Sequence, residues 1–150
     1  MDAVRFPAVT GEALDGTPFV TPRDLAGGRT VVFVAFGLEH RAEVESWVCL
    51  IDSLVRSRDD VRARLLAVIG APKLMRKPMV AAMKAAATKP EQRASTIPLF
   101  VDVEAFARSL GIADRSHLAI LVVLPDGRIS WRGSGPYSDA AGAALREALA

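Results

Sequence analysis

One cysteine, Cys49, is all the chain has. An intrachain disulfide is excluded, and so is the CxxC pair that dithiol exchange within one chain requires. The same scarcity points to a reducing compartment, the cytoplasm. No stretch approaches the ~20 consecutive apolar residues of a transmembrane helix. The opening "MDAVRFPAVTGEA" carries Asp2 and Arg5 and has no apolar h-region, so no signal peptide is expected. A GxSxG elbow is missing, which sets aside a Ser-His-Asp hydrolase. Internal repeats and low-complexity linkers are missing too, leaving residues 1–150 as one domain. The net charge of +2 is too small to argue for nucleic acid. No motif asks for a cofactor.

What is present is a soluble globular composition, 51% hydrophobic and 24% charged over 150 residues. A chain of that length buries roughly 70% of its unfolded surface. A mean hydropathy of +0.25 is oily for so small a domain and suggests an apolar patch or partner surface. Charge is also uneven. Lys73, Arg76, Lys77, Lys84, Lys89 and Arg93 crowd one segment against Glu91 alone, so +5 of the balance lies there and −3 elsewhere.

Pattern then orders the elements. Asp15-Gly16 supplies a tight turn between short strands ending near Leu14 and starting near Pro18. Thr30–Phe36 is a β-branched and aromatic run suited to a central strand buried on both faces. A helix from about Glu39 to Ser57 follows, with Val44, Trp47, Val48, Ile51, Leu54 and Val55 at helical spacing. Val61–Ile69 reads as a second buried strand. A helix from Pro78 to about Ala87 is closed by Pro90. "IPLFVD" reads as a strand, "VEAFARSLGI" as a helix stopped at Gly111, and "LAILVVL" and "RISWRG" as a hairpin around "PDG". Asp139–Leu149 is the closing helix. The order predicts an α/β fold, a mixed central sheet with helices on both faces and an N-terminal β-hairpin.

The run of "G…LDG…DLAGG", "VVFVAF", a long helix, "IPLFVD", "LGI" and "LVVLPDGRISWRG" resembles the thioredoxin-like superfamily, in its peroxiredoxin and TlpA branch, over nearly the whole chain. "ESW" on the long helix and "PDGRISWRGSG" are similar to the mitochondrial ATP synthase assembly-factor family. That second resemblance implies a thioredoxin-like protein that assists assembly of a membrane complex.

Thiol chemistry on such a fold uses a cysteine at the helix N-terminus, where free N–H groups and the dipole stabilise a thiolate. Here Leu38, Glu39, His40 and Arg41 stand in that place. Cys49 comes ten residues after Glu39, ~15 Å along the helix, where the dipole has faded. It falls near Glu45, Asp52 and Arg56, and the preferred reading is an ordinary cysteine on a polar face. The alternative is a single-cysteine thiol peroxidase or thiol-dependent reductase using Cys49. An intersubunit disulfide would need an oxidising setting. The resemblance also implies a cis-proline before the "AILVVL" strand, but His117-Leu118 occupy that place. Arg115 is the candidate for the arginine that peroxiredoxins hold there. With both halves altered, Leu38, Glu39, His40, Arg41, Arg115, His117 and Leu118 read as a vacated active site. The two histidines could ligate a metal with Glu39. The preferred reading is a polar cluster at a loop rim, and no metal is expected.

"PKLMRKPMVAAMKAAATK" holds the remaining candidates. Met75, Met79 and Met83 recur every four residues among Lys73, Arg76, Lys77 and Lys84, with Pro78 expected to split them across two helical pieces. Pliable methionines beside lysines suit an acidic protein partner or a membrane-associated one. Packing of Met79, Val80 and Met83 on the sheet is the plainer role. Trp131 and Tyr137 read as a packing tryptophan and a loop residue. The expectation leans away from an enzyme, toward a redox-inactive binding or assembly factor and chaperone.

Overall fold

The computed structural model describes residues 5–150. Met1–Val4, the head of the stretch read for a signal sequence, lie outside them, and Leu38 is described by its backbone alone. β1 (Thr10–Glu12) and β2 (Pro18–Val20) form an antiparallel hairpin whose turn has Gly16 at φ 91°. A second sheet runs β5-β4-β3-β6-β7, comprising β3 (Arg29–Ala35), β4 (Val61–Ile69), β5 (Thr96–Phe100), β6 (Ala119–Val123) and β7 (Ile129–Ser134). β4 is parallel to β3 and β5 to β4; β6 is antiparallel to β3 and β7 to β6.

Alternation along the central strands sorts the core into two layers. Val31 and Phe33 of β3 join Ile120 and Val122 of β6 on one face, under α1 (Arg41–Ser57) and α5 (Asp139–Ala148). Val32 and Val34 join Leu121 and Val123 on the other, with Phe106 of α4 (Val103–Ser109) and Phe6, Phe19 and Leu25 from the N-terminal region. The hairpin is seated by close approach. A Cβ on Gly11 would lie 2.8 Å from Leu99 Cδ2 and 2.9 Å from Ile97 Cγ2, so only glycine lets β1 lie against β5. Leu14 N–H adds a bond to Thr96 O at 3.0 Å.

Several sequence expectations change. The long helix begins at Arg41, after a 3₁₀ turn over Leu38–His40. Its buried residues are Trp47, Leu50 and Leu54; Val48 and Val55, expected inside, are 46% and 41% exposed. Once Trp47 and Leu54 face the sheet, Leu50 lies between them at helical spacing, and Val48 and Val55 rotate to the outer flank. Pro78 does not start a helix. α2 (Lys73–Ala86) runs straight through it as one piece. Proline there forfeits one bond to the Leu74 carbonyl, and both residues are exposed, so water can satisfy that oxygen. Pro90 does not close α2; it opens α3 (Pro90–Ser95) as its first residue. Arg93 of α3 then closes α2, donating from Nε to Ala87 O at 2.6 Å and from Nη2 to Lys84 O at 2.9 Å.

Candidate functional site

The loop before β6 and the first turn of α1 meet through a residue that the sequence reading passed over. Glu43 Oε2 accepts from Leu118 N–H at 2.7 Å, and Oε1 lies 2.8 Å from His117 Nδ1. Its side chain is 16% exposed, while Leu118 is fully buried. Burial would raise the Glu43 carboxyl, but the bonds from His117 and the Leu118 amide outweigh it and hold the group below its usual range. The same contact raises His117, first through the hydrogen bond and then through the carboxylate's charge. A carboxylate in the first turn also suits the positive end of the helix dipole. That acidic position was the one available sequence signal.

His40 is not at a loop rim. It is 1% exposed, with its Nδ1 accepting from Phe36 N–H at 3.1 Å and its ring edge-on to Phe36 at 6.3 Å. An accepting Nδ1 assigns the neutral tautomer with the proton on Nε2, and among the described residues nothing partners that nitrogen. His117 alone lies at the exposed rim. The two histidines therefore approach Glu43 in different states, one buried and one solvated.

The other expected site residues scatter. Glu39 is exposed and folds back over Gly37, where a Cβ would overlap its carboxylate. Arg41 turns along the helix to pair with Glu45 at 3.1 Å. Arg115 is exposed in the loop, beside Asp114, whose Oδ1 accepts from Ser116 N–H at 2.9 Å. Among the described residues, no three His, Cys, Asp or Glu side chains gather closely enough to hold a metal. The sole cis peptide bond among them is Thr21–Pro22, so the His117–Leu118 bond is trans. A cleft of about 270 Å³, lined by Asp114, His117, Arg132 and Ser134 among others, opens beside the Glu43 bridge.

Cys49 is exposed on the outer side of α1, eight residues and ~12 Å beyond Arg41. Asp52, Ser53, Arg56 and Ser57 line a shallow groove of about 600 Å³ with it. The groove lies far from the first turn, where an N-terminal thiolate would form.

α2 carries the basic segment. None of its residues is buried, and none belongs to either core layer. Arg76, Met79, Val80 and Met83 are half-buried on its inner side, with the Arg76 guanidinium 5.3 Å from the centre of the Phe100 ring. Met75 is 51% exposed, and Lys73, Lys77 and Lys84 are exposed. Met79, Val80 and Met83, expected to pack on the sheet, are only half-buried and join neither core layer. Trp131 packs against the α1 and α5 layer, and Tyr137 stands edge-on to Trp47 at 5.4 Å.

No protein-family model and no curated protein matches the chain. Solved structures do. The thioredoxin domain of a thiol-disulfide oxidoreductase from Bacteroides vulgatus aligns over 100% of this chain and 99% of its own, at 17% identity and TM-score 0.64. A thioredoxin-family thiol:disulfide interchange protein from Chlorobium tepidum aligns over 100% and 99%, at 18% and 0.64. BsSco, a member of the Sco family of cytochrome c oxidase assembly proteins, aligns over 98% and 94%, at 16% and 0.60. At such identities the likeness is one of fold, and the fold is thioredoxin-like.

Proposed function

We propose that this thioredoxin-like chain has lost thiol chemistry and works by binding, as a docking or assembly factor. The observation that carries the reading is Glu43. On the helix turn where this fold would present a thiolate, the chain places a carboxylate and ties it to the facing loop through Leu118 N–H and His117. Two strong acceptor bonds hold together the two walls between which a substrate would lie. A Sco-family neighbour named as an assembly protein, and the sequence patches similar to the ATP synthase assembly factors, support assembly of a membrane complex as the setting. Among the described residues no helix is long and apolar enough to cross a membrane. The docking element in this reading is α2, presenting its exposed Lys73, Met75, Lys77 and Lys84, while Arg76, Met79 and Met83 stand half-buried on its inner side.

The test is salt-dependent association with poly-glutamate and with vesicles of anionic lipid, for the wild type and for a variant with Lys73, Arg76, Lys77 and Lys84 changed to glutamine. The reading expects association that weakens as salt rises and is lost in the variant. Association unchanged in the variant counts against α2. The exposure of Cys49 favours one rival, a single-cysteine thiol enzyme, which would show Cys49-dependent turnover.

A further inference from the structure

Resting on the docking reading, we infer that the partner of α2 is an acidic amphipathic helix, laid along the outward face of α2 in coiled-coil register. At about 100° per residue, Arg76, Met79, Val80 and Met83 share one side of α2, and those four are its half-buried residues; the others are exposed. The opposite side carries Leu74, Pro78, Ala81 and Ala85. Their spacing of four, three and four is that of alternating d and a positions in a heptad. In that register the half-buried residues take positions b, c and f, so the heptad seam points away from the body of the protein. Leu74 at its start is 91% exposed, an apolar side chain with no intramolecular role.

Charge identifies the occupant. Lys77 and Lys84 both fall at position g, flanking the seam on one side, and α2 contains no acidic residue. In a coiled coil the flanking e and g positions select the partner by charge, so two lysines one heptad apart select glutamate or aspartate at matching positions. A second copy of α2 packed antiparallel would set lysine against lysine, which disfavours self-association through this face. A bilayer is a poorer fit. Interfacial helices bury bulky side chains among the acyl chains, whereas beyond Leu74 this seam offers two alanines and a proline, a surface suited to close approach of another helix backbone.

The probes are a labelled helical peptide of about three heptads with leucine at a and d and glutamate at e and g, and its counterpart with lysine replacing glutamate. Poly-glutamate of matched charge and anionic vesicles complete the set. The wild type is expected to bind the acidic helix roughly tenfold or more tightly over both the basic helix and poly-glutamate, with backbone NMR shifts confined to α2. Lys77→Glu/Lys84→Glu should reverse the preference between the two helices. Leu74→Ser, at a position too exposed to affect folding, should weaken binding of the acidic helix. Equal affinity for acidic helix and poly-glutamate overturns the inference and leaves the docking reading standing, as does binding to vesicles without binding to the helix. No association with any probe overturns both.

Discussion

Replacing Glu43 with alanine should destabilise the fold out of proportion to a residue on the first turn of a helix. The substitution leaves Leu118 N–H without its acceptor at a residue that is fully buried. An orphaned buried donor costs about 1–3 kcal/mol. Loss of a carboxylate from the first turn adds about 0.3–1 kcal/mol, offset by a few tenths from the better helix propensity of alanine. The sum is about 1–4 kcal/mol, or roughly 2–16 °C in Tm for a chain of this size. Glu43→Gln keeps an acceptor for the amide and should lose about 1 kcal/mol. Urea denaturation measures both. Titration adds a signature that a packing effect would not give. His117 is raised above 6.5 in the folded state, so the stabilisation from its charged form is complete below about that pH and fades as pH rises through the folded value. Glu43 is lowered from 4.5, so its share is present above that pH and is lost as pH falls through its folded value. Asp114 also favours the charged His117. The gap between wild type and Glu43→Gln should therefore be larger near pH ~5.5 than near pH ~8.5, with the His117 NMR titration midpoint falling in the variant. A Glu43→Ala protein within about 0.5 kcal/mol of wild type would refute the bridge.

Trp47 is 1% exposed and donates from Nε1 to Gly135 O at 3.1 Å, so Trp47→Ala should lose about 3–5 kcal/mol and Trp47→Phe far less, read by the same denaturation. Gly11→Val would press into Leu99 and Ile97 and should cost about 1–3 kcal/mol, with hydrogen exchange rising first at Leu14 N–H, where the hairpin meets β5. Cys49→Ser, at an exposed position, should leave stability within about 0.5 kcal/mol of wild type by urea titration.

The elements were readable wherever the signal is local. β4 spans Val61–Ile69 as its apolar run implied, and Gly16 and Gly127 adopt the positive φ that their Asp-Gly turns require. Asp102 caps α4 by accepting from Ala105 N–H, at the aspartate that ends "IPLFVD". The site was less readable because its bonds are long-range. Glu43 and Leu118 lie 75 positions apart, and beyond its place in the first turn nothing near Glu43 distinguishes it from Glu45, which pairs with Arg41 on the solvent face. His40 looked polar in sequence, yet the Phe36 amide gives its Nδ1 a partner inside the fold and lets the ring be buried. Pro78 misled for a different reason: a proline one turn into an exposed helix loses only a bond that water replaces.

The most direct check on the claim that binding has displaced chemistry is steady-state consumption of hydrogen peroxide and of a small disulfide, with excess reductant, by the wild type and by Cys49→Ser. The account predicts no turnover above background in either protein. Turnover by the wild type that vanishes in Cys49→Ser would contradict it, and would move the working site from the first turn of α1 to the groove around Cys49.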